Sequence, residues 1–380
     1  MPRRLAVLFV VAALVAPETT LTSQNAPKRL PIIAGAMGMN ILVNPDGSVQ
    51  SWGEPDGEAA GLGDGTNNSR TMPAPIPGVN GIVDASVGFG HVLLLKSDGT
   101  VLAWGRNNGC ELGVKDDNKR LAPIVVPGVT GAIHVAAARV FSAAVLRDGT
   151  VRVWGNNEHG MLANGKSGFN DDCTWTPTLV QGLSGVVQIA MNDGTIIVRK
   201  SDGTVWGWGD NSGGVLCDGT EMDRTRPVQM KGINNAVDID ISAQSVVVLA
   251  DGTVRMCGFS GDGSMADAPA GVHSTPWKIG GVTNAVTARG AGVTIVRLKD
   301  GTLVGWGYGM HGSLGDGFID KIDPKPRSPI GLGPVLAHWF ASNGGYAVRA
   351  DGTIMQWGTF IARPNTWSLK PIPFVKVVMP

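Results

Sequence analysis

Apolar and polar residues in this chain alternate in short bursts, not at helical spacing. His91-Val-Leu-Leu-Leu-Lys96 is followed by Asp98-Gly99-Thr100 and then by Val101-Leu-Ala-Trp104, and the arrangement recurs to the end of the sequence. Apolar runs of four to six residues bounded by Asp, Gly and Pro predict strands. Asp-Gly between two such runs predicts a tight two-residue hairpin, because Gly accepts positive φ and Asp can bond the turn backbone.

The motif occurs seven times: DGSVQSWG from Asp46, DGTVLAWG from Asp98, DGTVRVWG from Asp148, DGTVWGWG from Asp202, DGTVRMCG from Asp251, DGTLVGWG from Asp300 and DGTIMQWG from Asp351. Its aspartates advance by 52, 50, 54, 49, 49 and 51 residues, so a unit of close to 51 residues fills the chain. Periods of this length signal repeat architectures. One face of the strand after each turn carries Val49, Val101, Val151, Val205, Val254, Leu303 or Ile354; the other ends in Trp52, Trp104, Trp154, Trp208, Cys257, Trp306 or Trp357. A strand apolar on both faces is buried on both, as in a small sheet held between two neighbours. The six tryptophans are therefore assigned to the scaffold.

Six residues past the tryptophan position stands Gly160, Gly214, Gly263 or Gly312, and two further on Leu112, Leu162, Leu216, Met265 or Leu314. A third strand is expected there. Pro123, Pro177, Pro227, Pro276 and Pro371 then open a fourth run, Pro suiting the first position of a strand. Four short strands repeated seven times predict an all-β, seven-bladed β-propeller of four-stranded blades. The chain ends on such a run, Pro371–Val378, and begins without one. The C-terminal strand is accordingly expected to join the N-terminal blade and close the ring, removing an exposed edge.

The combination of DGxVxxWG, GxLG and a following Pro strand, as in SDGTVLAWGRNNGCELG (Ser97–Gly113) and KDGTLVGWGYGMHGSLG (Lys299–Gly315), resembles the regulator of chromosome condensation repeat family. The resemblance covers about residues 30–380 and implies a seven-bladed propeller. Three places depart from the pattern: Cys257 replaces a blade tryptophan, Cys110 stands where glycine is usual, and the last copy lacks GxLG. The resemblance includes a secreted bacterial inhibitor of β-lactamase, and this chain is similar to a secreted bacterial-type member. The family's nuclear exchange-factor role is disfavoured by the N-terminus described next and by the lack of a basic arm. Its ultraviolet-sensing role needs a GWRHT-like motif, which does not occur here.

Arg3-Arg4 followed by the twelve apolar residues Leu5–Ala16 is too short to span a bilayer and reads as a secretory signal peptide over residues 1–22, cleaved between about 16 and 26. A single propeller domain is expected over 28–380, with no membrane span in the mature chain. Net charge is zero, 31 Lys+Arg against 31 Asp+Glu, so no nucleic-acid partner is indicated. Cys110, Cys173, Cys217 and Cys257 suit an oxidising destination; three pairings are open, and Cys110 with Cys173, in loops of neighbouring repeats, is the one to test first.

Catalysis finds little support. The six histidines show no metal spacing, no G-x-S-x-G elbow or GxxxxGK[ST] loop occurs, and the repeated aspartates are turn residues. No catalytic residue, cofactor or metal is predicted. Function then falls to loops. Met39, His91, Phe141, Thr195, Gln244, Val293 and Gly344, each seven residues ahead of a motif aspartate, are expected as a ring near the shaft. Phe89, His91, Arg139, Phe141 and Gln244 are the candidate partner-binding residues. The expected function is a secreted or envelope protein-binding scaffold or inhibitor, monomeric, with an unknown protein partner in the envelope or exterior. A structural or glycan-contacting envelope module is the alternative, and an enzyme is less favoured.

Overall fold

Each repeat forms one antiparallel sheet of four consecutive strands, giving seven blades: 32–75, 82–125, 132–179, 186–229, 236–278, 285–327 and 337–376. The computed structural model describes residues 29–379 except 37, 55–60, 169–172, 262, 291, 319–321, 342–343 and 360–366; the expected signal peptide lies outside the described residues. The inner strand of every blade contacts that of the next, and the seventh returns to the first. The protein is an all-β seven-bladed propeller. Among the described residues the one helix is the short 3-10 turn Met310–Gly312, and no helix is long and apolar enough to cross a membrane.

Asp98 shows how the motif builds a blade. Gly99 takes a φ of +87°, its N–H donates to Lys96 O at 2.9 Å, and Lys96 N–H donates to Thr100 O at 2.9 Å. This is a three-residue loop with glycine in the left-handed position, not the two-residue turn expected. The Asp98 carboxylate accepts the Thr100 N–H at 2.9 Å, and the other six motif aspartates bond Ser48, Thr150, Thr204, Thr253, Thr302 and Thr353 alike. These hydrogen bonds hold the carboxyls of Asp98 and Asp148 below their ordinary values. The aspartates are turn clamps.

Two strand assignments change. The G-x-Leu segment is a run of turns, and the missing strand is the inner one, such as Ile82–Val87. Its polar residues hid it among apolar runs. Pro123, Pro177 and Pro227 sit fourth, not first, in the outer strands Arg120–Val125, Thr174–Leu179 and Arg224–Gln229. Pairing shifts there, between Ala103 and Gly105 opposite Pro123, so an edge strand with a bulge absorbs the missing N–H.

Apolar burial is divided among the gaps between blades. Among the described residues there are seven apolar clusters, one per seam. The G-x-Leu turn makes five of these seams specific. Trp104 donates its indole N–H to Gly61 O of the preceding blade at 3.3 Å, Trp154 to Glu111 O at 2.8 Å and Trp208 to Met161 O at 2.8 Å. Trp306 reaches Ser264 O at 3.0 Å and Trp357 reaches Ser313 O at 2.8 Å. Every acceptor is the residue just before the Leu or Met. A buried indole must place its N–H, and each finds a carbonyl next door.

The seam between blades 4 and 5 has no indole, because Cys257 replaces it. Cys257 is instead disulfide-bonded to Cys217, the residue after Leu216 in the preceding blade, with Cα atoms 5.7 Å apart. A covalent bond thus stands where five other seams use a tryptophan hydrogen bond. The second disulfide joins Cys110 to Cys173, linking the turns of blade 2 to the residue just before the outer strand of blade 3, the pair the sequence put first.

Ring closure differs from the expectation. The first blade supplies all four of its own strands, and the C-terminal strand Trp367–Lys376 pairs inside blade 7. The outer strand of the first repeat is Arg70–Pro75, whose Pro-containing run lacks the apolar residues that mark its counterparts. Closure is made by side chains. Trp52 meets Tyr346 edge-on at 6.4 Å and Phe374 at 5.3 Å, within a cluster containing Ile33, Leu42, Val348, Ile354 and Val377.

Candidate interaction face and axial channel

The turns between the inner and second strands emerge at one end of the ring. The residue after each Trp-Gly returns to the same end: Arg106 N–H donates to Gly90 O at 2.7 Å, Asn156 to Val140 O at 3.0 Å and Asp210 to Gly194 O at 2.8 Å. The inner turns and the long G-x-Leu loops therefore share a face, and the Asp-Gly turns occupy the other.

The candidate residues divide at this face. Phe89 is 38% exposed in the turn of blade 2, and Arg139 is exposed at the equivalent position of blade 3. Asp193 follows in blade 4, where burial raises its carboxyl and the Arg139 charge works against that rise. His91, Phe141 and Gln244 are buried, so they cannot form the surface expected of them. The residues seven ahead of each aspartate begin the second strands, whose first side chains point inward. His91 Nε2 bonds Ser142 Oγ at 2.8 Å, and Ser142 donates to Glu111 O, the acceptor of Trp154. Burial lowers the His91 pKa to about 4, so the ring is neutral and structural. Gln244 donates to Phe259 O at 2.8 Å and Thr195 to Asp210 O at 2.7 Å, the same tie in two blades.

Exposed residues that sequence reasoning passed over share this end. Phe259 is 55% exposed after Gly258, Phe318 49% after Gly317, and Met222 64% in the blade 4 loop. Among the described residues every exposed phenylalanine emerges here. No repeat pattern marks them, since Phe259 lies near the end of the strand Val254–Ser260 while Phe318 and Met222 stand at different places in their loops. The off-motif Trp206, Trp277 and Trp339 are only half-buried and pack on the seam clusters.

The shaft is a polar channel, with a cavity of about 210 Å³ whose lining includes Ser86, His134, Gln188, Asp240 and Arg289. Asp84, His134, Gln188 and Asp238 take the third position of successive inner strands. These strands are stitched by side chains: Asp84 accepts Val135 N–H at 3.1 Å, Gln188 donates to Asp238 at 2.8 Å, and Asp238 accepts both Ala288 N–H and Arg289. Burial opposes a proton on His134, yet Asp84, 2.6 Å from Nδ1, outweighs it and raises the pKa. The signal was present in the sequence as polar residues at every second position, as in Asp238-Ile-Asp240.

Asp240 carries a consequence for pH. Burial raises its pKa to about 6, against the pull of Arg289 and the Gly290 N–H. A folded-state value above the unfolded one means that protonation favours the fold: the contribution is whole below the unfolded value of 3.8 and is lost as pH rises through about 6. Channel water screens this half-buried group, so the effect is held to about 1 kcal/mol, or a degree or two in Tm. Asp240→Asn should therefore melt above the parent at pH 8 and level with it at pH 4. A parent more stable than the variant at pH 8 would show that the Arg289 attraction dominates.

A family model described as Regulator of chromosome condensation (RCC1) repeat matches residues 98–145, 148–194 and 202–249, and a second of the same description matches 82–110 and 186–214. The ring of seven four-stranded blades agrees with those matches. The chain carries regulator of chromosome condensation repeats. It is 35% identical over 74 residues to the human E3 ubiquitin-protein ligase HERC2, covering 19% of the chain and 2% of that protein. It is 32% identical over 84 residues to the X-linked retinitis pigmentosa GTPase regulator homolog of Caenorhabditis elegans, 22% of the chain and 6% of that protein. The chain thus spans a small part of these curated relatives. The fold is that of Prp20p from Saccharomyces cerevisiae, with TM-score 0.74 at 18% identity over 87% of this chain and 86% of that one. Human WBSCR16 follows at 0.71 and 19%, over 84% and 86%.

Proposed function

We propose that this propeller is an exported protein-binding scaffold that grips its partner with the loop face bearing Phe89, Arg139, Phe259 and Phe318. The observation that carries the reading is the gathering of exposed phenylalanines at one end of an otherwise turn-clamped ring, since aromatics and arginine anchor protein interfaces. Prp20p is described by its binding to Gsp1p and histones, and yeast RCC1 (Prp20) by its complex with Kap60, so the fold elsewhere presents protein-binding surfaces. Export is supported by the apolar stretch Leu5–Ala16 and by two disulfides between blades, which persist in oxidising compartments.

The test is co-purification from envelope and culture-medium fractions with the mature protein as bait. A triple variant, Phe89→Ser, Phe259→Ser and Phe318→Ser, should lose the stoichiometric partner while keeping the parent's melting temperature. Retention of that partner by the folded variant rejects this face. Recovery of an uncleaved chain solely from the cytosol rejects export.

A further inference from the structure

We propose that His159, Asp210 and Asp223 form a binding site for one divalent transition-metal ion, with Glu158 beside it, at the seam of blades 3 and 4. His159 lies in the G-x-Leu loop of blade 3, Asp210 directly follows Gly209 in blade 4, and Asp223 directly precedes that blade's outer strand. One imidazole nitrogen and one oxygen from each carboxylate all lie within 4.8 Å of one another. Glu158 Oε1 stands 3.5 Å from His159 Nε2. Zn²⁺ takes one imidazole and carboxylate oxygens at about 2.0–2.2 Å, so small side-chain rotations close the set.

Three features favour an ion over an ordinary polar cluster. Asp210 accepts Ser212 N–H at 2.9 Å and Asp223 accepts Asn211 N–H at 2.9 Å, each through Oδ1, which holds both carboxylates in place beside His159. Among the described residues no Lys or Arg forms an ion pair with Glu158, Asp210 or Asp223, so no fixed cation faces the three carboxylates. The space between them is also open: a Cβ on Gly194 would stand 3.1 Å from both Asp210 Cβ and His159 Cδ2, and this inner-turn position, glycine in blades 1, 2 and 6 as well (Gly38, Gly90 and Gly292), here admits the approach of His159 to Asp210. The mixed nitrogen and oxygen set suits Zn²⁺ or Mn²⁺ better than Mg²⁺ or Ca²⁺, which prefer all-oxygen sites.

Calorimetric titration of the chelator-washed, disulfide-intact protein with ZnCl₂ and MnCl₂ tests the site, with MgCl₂ and CaCl₂ as comparisons. One equivalent of Zn²⁺ or Mn²⁺ should bind and raise the melting temperature, with Mg²⁺ and Ca²⁺ at least about tenfold weaker. His159→Ala should lower the transition-metal affinity by at least about tenfold, as ligand loss does, and His273→Ala, on another blade, should leave it unchanged. Gly194→Ala leaves every donor in place but fills the gap, and should also weaken binding; it serves if His159→Ala fails to fold. No saturable uptake by the parent, uptake undiminished in folded His159→Ala or Gly194→Ala, or tighter binding of Ca²⁺ than of Zn²⁺ and Mn²⁺ would each overturn the proposal.

Discussion

A chain lacking residues 371–380 is expected to lose its closed ring and its single cooperative unfolding transition. The deletion removes the pairs Thr353↔Lys376, Ile354↔Val375, Met355↔Pro373 and Gln356↔Ile372, leaving the third strand of blade 7 as an open edge. It also takes Phe374 and Val377 out of the cluster that holds Trp52. Loss of one large buried side chain costs about 2–5 kcal/mol, so the total reaches at least about 5 kcal/mol, within reach of the roughly 5–15 kcal/mol that holds a typical domain. Urea unfolding followed by tryptophan fluorescence reads this directly. A midpoint equal to that of the full chain would mean that the first and seventh blades hold together without the terminal strand.

Reduction of the Cys217–Cys257 bond should destabilise the protein by about 2–4 kcal/mol, the loop-closure value for residues 40 apart in sequence. The cost is local in origin: this seam has no indole donor, so the carbonyl of Val215, in the place where Glu111 and Met161 accept, has no tryptophan to meet. Cys257→Ser should reproduce the loss without reductant. Cys217→Gly combined with Cys257→Trp should recover part of it, because glycine or alanine follows the Leu or Met at the five indole seams, as at Gly113 and Ala163. Thermal melts of the three proteins, with peptide mapping to confirm which bond is open, decide the matter. A double variant less stable than Cys257→Ser would show that this seam is spaced for a disulfide and not for a ring.

The repeat makes the scaffold legible in the sequence itself. Asp-Gly turns, the apolar strand pair and the tryptophan column are dictated by local conformation and burial, and both leave a periodic trace. What the sequence concealed was of two kinds. The inner strands are polar where they line the shaft, so Asp84, Gln188 and Asp238 broke the apolar pattern that marks their neighbours. The face residues Phe259 and Phe318 fall at different places in their repeats, and nothing local distinguishes a phenylalanine that projects from one that packs. His91 errs in the opposite sense: its place ahead of the hairpin suggests a surface, while its ring is buried at the seam and bonds Ser142.

Because each blade is cut from one uninterrupted stretch and no strand is exchanged, the ring has no privileged starting point. Joining the present ends by a short linker and opening the chain between any two blades would preserve every sheet, and the Trp52 contacts would become one more internal joint. Units could therefore be gained or lost whole, at the expense of changing the circumference but not the make-up of any single sheet.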